Sequence, residues 1–558
     1  MPIRVFSAAI ALGLGLTLAA SGASAAPAVS DVAAVTTASA ETNVAVMAPM
    51  TVPAGNGGIL DAETLAEYTE PLGLLTRQLD AVAGKPVAIA IDPMILASIR
   101  VLGTSAPESA RSWLERLSLI SNDVVPLPYA HADVTLATQS GLESTPEPIS
   151  FDFALDEANF AEAETDAAEP APTATADPLD DAVTTITGYP TTEQLLDWDY
   201  AIDGFLRPRT DTVIASDLTA FTESGFSTIV LSSTNVSRKT GAGAVTTIDG
   251  VTALISDATA SAAMDNALGS TLDRDVTAAD TALSQAVLDA GAAQTAGTAS
   301  VLIAIDHSLE VSSARLDAAL ATLTASPSIT MISLTELASG TPTAATIADM
   351  PQSESRIGDV TRLFNAARAE RSFFSVAEDP DSLAAERRLA LLDVLGTMPT
   401  EDPSDWLTQV NRFLVDSRDL RNAVTVVEAS NFLLVADNGY LPVSVSNDLN
   451  QAVTVYITVD PRTGLLAVGD ELVELRIEAN SQAKGEIPVQ SLSNGVVDVE
   501  ISLTSSNGTT IGSTTVSEIN VQAGWETPIV LSFAAIVFVI FAVGLVRSIV
   551  RRRKPEDD

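Results

Sequence analysis

Four aspartates stand at the ends of short apolar runs, where strand-end chemistry is usually found. Asp92 follows Val87–Ile91, and Asp133 closes Pro128-Tyr129-Ala130-His131-Ala132-Asp133 after Val124–Leu127. Asp257 comes just past Val251–Ile255, and Asp306-His307 follows Val301–Ile305. A fifth acidic group, Asp197, Asp199 and Asp203, surrounds Trp198 ahead of Gly204. Two carboxylates on one side of a sheet could serve as acid and base in cleaving a glycosidic bond. Aspartate with histidine could hold a divalent metal for deacetylation. The candidate catalytic residues are therefore Asp92, Asp133 and His131. The candidate binding-cleft residues are Tyr129, Trp198, Asp199, Asp257, Asp306 and His307.

A plainer role competes for each of them. Aspartate after a strand is also a good helix N-cap, and Asp92-Pro93 pairs a cap with proline at the first helical position, where no amide donor is needed. The two histidines, His131 and His307, have no H-x(3–5)-H partner. No glycine-rich phosphate loop, G-x-S-x-G elbow or H-E-x-x-H occurs. No metal or cofactor is expected, and binding without catalysis leads over hydrolysis or deacetylation.

These side chains need a scaffold. Asn43–Met47 reads as a first strand. Leu60–Val82 reads as helix, because Leu65, Tyr68, Leu72, Leu75 and Leu79 recur at spacings of three or four. Val87–Ile91 is uniformly apolar, as a strand covered on both faces would be. Ile95–Leu102 and Arg111–Ile120 read as helices. Val124–Leu127, Phe226–Leu231, Val251–Ile255, Val301–Ile305 and Ile329–Leu334 read as strands. Alternating strand and helix predicts a parallel sheet with helices on its faces. With about eight strands, a barrel is the leading form for residues 43–345, and a doubly wound open sheet is second.

Three further segments follow from composition and period. Residues 143–185, rich in Ala, Glu, Asp, Pro and Thr, read as a disordered acidic insertion. Residues 346–422 read as a helical segment, with Asp379-Pro380 and Asp402-Pro403 as caps and Trp406, Val410, Phe413 and Leu414 as one apolar stripe. Residues 423–522 alternate with period two, as in Val453, Val455, Ile457 and Val459. Turn residues separate the runs, which predicts an immunoglobulin-like β-sandwich.

The two ends carry membrane signals. Arg4, the apolar Val5–Ala20 and Ala23-Ser24-Ala25 read as a signal peptide, 1–25, with a flexible lead-in at 26–42. Ile529–Val546 is apolar and is followed by Arg547, Arg551, Arg552, Arg553 and Lys554. That pattern predicts a transmembrane helix over 527–550 and a cytoplasmic tail over 551–558. The expected state is a single-pass plasma-membrane protein with its bulk outside. A net charge of −43, from 72 acidic and 29 basic residues, argues against nucleic-acid binding. Aromatics make up only 4% of residues, so the cores must be built from Val, Leu, Ile and Ala. Without cysteine, they must hold by packing alone.

The order of parts resembles DUF6049, a family of actinobacterial exported proteins. The local matches are Val87-Ala88-Ile89-Ala90-Ile91-Asp92-Pro93, Pro126-Leu127-Pro128-Tyr129-Ala130-His131-Ala132-Asp133, and Gly439-Tyr440-Leu441-Pro442-Val443-Ser444-Val445-Ser446-Asn447. His131 stands where that family usually carries an acidic residue. The resemblance implies a barrel like those of glycosidases and polysaccharide deacetylases, without an established activity. It also implies a gene neighbourhood that includes the lipid II flippase of peptidoglycan synthesis. The partners this implies are that flippase or other wall-assembly proteins and wall glycan. A receptor subunit or adhesin is a third reading, resting on topology alone.

Overall fold

The computed structural model describes residues 41–160, 189–295, 298–306, 312–396, 403–427, 432–435, 437–469, 472–522 and 526–551. The expected signal peptide, nearly all of the lead-in, residues 161–185 of the acidic insertion, His307 and the tail beyond Arg551 lie outside them. The chain is mixed α/β, with several sheets and an apolar C-terminal helix.

Up to residue 347 the described strands are β1 (Thr42–Met50), β2 (Ala88–Ile91), β3 (Val124–Pro126), β4 (Phe205–Leu206), β5 (Thr228–Ser232), β6 (Val236–Arg238), β7 (Val245–Ile248), β8 (Val251–Ser256), β9 (Ala299–Ala304), β10 (Ile329–Met331) and β11 (Thr343–Ile347). Seven of them run parallel in the order β3-β2-β1-β9-β8-β5-β4. Helices carry the crossovers, among them Ala62–Thr69 and Leu74–Val82 between β1 and β2.

Side-chain alternation explains how this sheet packs. Met47, Ala90, Val125, Phe205, Val230, Leu254 and Leu302, one from each of the seven strands, belong to a single buried cluster. Their sequence neighbours point the other way, as period two requires. Val46, Ala48, Ile89, Ile91 and Ile303 meet one helical layer. Ile229, Leu231, Ala253 and Ile255 meet a second cluster. The two ends of the strand path also come close together: the Ala201 amide, just ahead of β4, donates to the Val124 carbonyl of β3 at 2.8 Å. In a flat sheet six inter-strand steps would hold those strands about 29 Å apart. The sheet is therefore curled, although among the described residues no strand pairing joins β3 to β4.

Several elements differ from the sequence expectation. β7 and β8 form an antiparallel hairpin. It turns at Asp249 and Gly250, both at positive φ as a two-residue primed turn demands. β11 pairs with β7 and β6. The strand expected over Ile329–Leu334 stops at Met331, because Ser333 caps a helix over Leu334–Ala338.

Three helices follow, Glu354–Phe373, Pro380–Val394 and Pro403–Arg421. One buried ion pair binds all three: Arg387 of the second donates to Glu370 of the first at 2.8 Å and lies 4.3 Å over Phe413 of the third. Beyond them stand a four-stranded sheet and a five-stranded sheet, whose buried faces share one core. Phe373, Phe374 and Leu383 from the helices enter that core. Arg476 forks onto Glu378 at 3.0 and 3.1 Å across the same joint.

The C-terminal helix is Glu526–Arg551. Its segment Ile529–Ile549 has a mean hydropathy of 3.0 and buries none of its apolar stretch. Its 21 residues reach about 31 Å, matching the hydrocarbon thickness of a bilayer. It is long and apolar enough to cross a membrane, consistent with a single-pass anchor.

Leu302 is fully buried where the seven strands meet, whereas Leu433 is 52% exposed. Leu302→Ala is expected to cost about 2–5 kcal/mol in denaturant unfolding, and Leu433→Ala less than about 0.5 kcal/mol. Equal effects would contradict the packing described.

Candidate functional site

The carboxyl ends of the parallel strands gather most of the expected residues. Asp92 leaves β2 and caps the helix Pro93–Val101, accepting from the Met94 amide at 2.9 Å. The same carboxylate oxygen accepts from the Ala130 amide at 3.0 Å. Ala130 and His131 both sit at φ +52°, a conformation non-glycine residues rarely adopt. The bond from Asp92 helps hold them there. Tyr129, on the same loop, donates its hydroxyl to the Gly58 carbonyl at 2.6 Å. Gly58 has to be glycine: its φ is +81°, and a Cβ would lie 2.3 Å from the Leu389 carbonyl oxygen. Asp393 accepts from the Gly55 and Gly57 amides at 2.9 and 3.0 Å. Burial pushes the Asp92 carboxyl up to about 7, against its two backbone donors and with a further push from Asp393. Burial also raises Asp393 above the usual carboxylate range.

Asp133 is fully buried and engaged on every side. It accepts from the Leu136 amide at 3.1 Å as a helix cap, from Thr135 Oγ1 at 2.7 Å and from Gln352 Nε2 at 2.8 Å. Arg356, stacked over Trp406, lies 3.6 Å away. Asp257 is likewise a cap, accepting from the Ala260 amide at 2.9 Å. These aspartates follow the plainer reading: they join strand ends to the next helix.

His131 is 3% exposed, and burial, with Arg207 and Arg209 nearby, drives it down to about 3, so it is neutral at physiological pH. Arg207, just past β4, donates Nη2 to the Ile305 carbonyl at 2.8 Å. Burial lowers Arg207 to about 10, against the pull of Asp306 and Asp265. Asp306 is exposed, and its amide donates to Asp265 Oδ1 at 3.0 Å. Asp265 is pushed up to about 6, chiefly by burial. Trp198 is half-buried beneath Arg100, and Asp199 is exposed.

The structure thus brings His131, Arg207, Arg209, Asp265 and Asp306 toward one strand-end region, and Asp92, Tyr129 and Asp393 toward another. A cleft of about 400 Å³ is lined by Pro126, Pro128, Tyr200 and Phe205 among others, and of the expected cleft residues it contains only Tyr129. Among the described residues no three His, Asp or Glu side chains are grouped as a metal ion would require. Sequence reasoning missed Arg207, Arg209, Asp265, Gln352, Arg356 and Asp393. The one available signal was Arg207-Pro208-Arg209 in a chain poor in basic residues.

The chain belongs to DUF6049, a family of unknown function whose sequence model matches residues 13–557. The comparison with curated proteins finds no match. Among solved structures, trypsin-activated α2-macroglobulin from Escherichia coli is 16% identical, over 18% of this chain and 7% of that one, at a TM-score of 0.15. The Caenorhabditis elegans protein WR4, an MSP family member, is 9% identical over 18% of this chain and 99% of its own, at 0.14. The Escherichia coli chaperone DraB is 10% identical over 18% and 55%, at 0.14. The chain spans 7–16% of the length of the first three structures it matches. Scores this low carry no argument about fold or function.

Asp92 offers a test of the buried network. Its carboxyl is raised from 3.8 to about 7 in the folded state, so between those values the native chain holds a proton that the unfolded chain has lost. The Asp92 contribution to stability is therefore fully present below about pH 4 and is lost as pH rises toward 7. Asp92→Asn keeps the acceptor oxygen and removes the titration. Chemical denaturation from pH 4 to 8 should show a flatter profile for Asp92→Asn, with the variant more stable than the parent at pH 8. Parallel profiles would refute the buried carboxyl.

Proposed function

We propose that this chain is a membrane-anchored cell-envelope protein. Its α/β domain stands outside the plasma membrane and binds a wall glycan, a lipid-linked precursor or a protein partner, without catalysis, in peptidoglycan assembly. The observation that carries this reading is the state of the strand-end carboxylates. Asp92, Asp133 and Asp257 already accept helix-cap amides, while an apolar cleft stands open beside Tyr129. A side chain that accepts several protein donors in the resting state is poorly placed to take a proton from water or substrate. The lipid II flippase or another wall-assembly protein is the partner this reading favours.

The finer architecture belongs to the same proposal. The curled seven-stranded path, with its ends bridged by Ala201 and Val124, supports a (β/α) barrel of the glycosidase and deacetylase kind. The two sheets over one core support an immunoglobulin-like sandwich, which would set the height of the barrel above the bilayer. The apolar helix Glu526–Arg551, with Arg547 near its end, supports an outward-facing body and a cytoplasmic tail.

Two measurements test this. The full chain in detergent micelles should bind peptidoglycan fragments or a lipid II analogue in a pull-down, and no binding to either would count against the glycan and precursor readings. Protease added to intact, wall-stripped cells should remove the body of the protein and leave the apolar helix. Full protection would reverse the orientation.

A hydrolase or deacetylase is the second reading. Asp265 and Asp306 favour it, because they adjoin and Asp265 holds its proton up to about 6, as a general acid would. Asp265→Asn should then abolish any sugar or acetate release from wall glycan, and if the parent releases neither, this reading fails.

A further inference from the structure

Arg207 reaches from the end of β4 to the carbonyl of Ile305, beyond the end of β9. It is 4% exposed, and its Nη1 is buried with no hydrogen-bond partner among the described residues. A guanidinium cannot relieve such a position by giving up its proton, so a buried N–H left unpaired is a standing demand for an acceptor. Arg207 lines a small pocket with Arg209, Ser232, Ser256, Ala304 and Asp211, at the ends of β5, β8 and β9. The pocket has room for about one oxygen-sized atom. Arg209 is half-buried and makes no ion pair among the described residues, in a chain where acidic residues outnumber basic ones by 72 to 29. Of the nearby carboxylates, Asp211 accepts from Thr234 Oγ1 and Asp265 from the Asp306 amide, and the negative charges of Asp265 and Asp306 also reach Arg207.

We infer that this pocket receives one oxygen of a singly charged oxyanion, a carboxylate or phosphodiester carried by the ligand. The oxygen seats on Arg207 Nη1, and Arg209 holds the remaining charge from the open side. Arginine suits this task because its planar fork matches oxyanion geometry and its charge is permanent. The site deepens the binding reading above by naming the charge its ligand presents.

The test uses the full chain in detergent, titrated calorimetrically with acetate, with dimethyl phosphate and with soluble short-chain phosphatidylglycerol, each against sodium chloride at matched ionic strength. Saturable binding of acetate or dimethyl phosphate is expected, and the one that binds identifies the class. Binding of phosphatidylglycerol well above that of dimethyl phosphate would assign the source to a lipid headgroup. Arg209→Ala should weaken binding about ten-fold or more, as the loss of a charged hydrogen bond does. Arg207→Lys, which keeps the charge but not the fork, should weaken it further, and Arg111→Ala on an exposed helix should change nothing. Binding that chloride matches, or that Arg209→Ala leaves intact, overturns the site even if Arg207→Lys fails to fold. Anion binding without glycan or precursor binding would retire those readings and leave this site standing. The converse result would do the opposite.

Discussion

The strand-end face depends on one buried carboxylate accepting two backbone amides. Asp92 is 1% exposed, and its bonds to Met94 and Ala130 tie the end of β2 both to its own helix and to the loop after β3. That loop contains two consecutive left-handed residues without glycine's freedom. Once it is held, Tyr129 can reach Gly58 past β1, and Asp133 can reach Gln352 and Arg356 in and beside the helical segment. The ends of three strands and a later helix are thereby joined through polar groups in a setting too buried for water to substitute. The energetic tension is visible in the raised carboxyl of Asp92, which burial pushes toward neutrality.

Packing and polarity divide the labour around the seven parallel strands. The apolar cluster common to the seven strands is built largely from Leu, Ala and Val, as expected where aromatics are scarce. Small side chains such as Ala45, Ala88 and Ala90 suit strands that curl toward one another, because little volume is available inside. Polar chemistry is displaced to the rim, where Arg207 lies across the strand ends above this cluster. Arrangements of this kind concentrate binding groups where connecting segments, rather than the sheet, set the chemistry.

The paired sheets share a separate apolar core with their own alternation, and the three helices after residue 353 pack beside it. The coupling is specific: Phe373 and Phe374 enter the core shared by the two sheets, Ala377 pairs with Val453, and Glu378 takes the fork of Arg476. The terminal helix follows different rules. Its apolar surface is turned outward along its whole length, which is unfavourable in water and favourable in lipid.

Much of this was legible from residue order alone. The alternation of Val453, Val455, Ile457 and Val459, the uniform run before Asp92, the Asp379-Pro380 cap and the apolar stretch after Ile529 are local patterns, and local geometry dictates them: period two for a strand, a fixed cap chemistry for a helix, a fixed length for a bilayer. β4 escaped because two residues carry no period, and β6 and β11 because their pairing comes from distant partners rather than from their own composition. The meeting of Asp92 with Asp393 depended on where the helix Pro380–Val394 packs, and that of Arg207 with Ile305 on the curl of the sheet. Residues about 300 and 100 positions apart become neighbours only when crossovers and strand order are set, and no local periodicity encodes that. The sequence by itself determined which faces are apolar, where the Asp-Pro-capped helices at Pro93 and Pro380 start and where a membrane could be crossed. The tertiary structure alone decided which aspartates are already engaged as caps and which arginine is left needing an acceptor, because hydrogen-bond satisfaction belongs to the assembled surroundings of a group and not to its place in the chain.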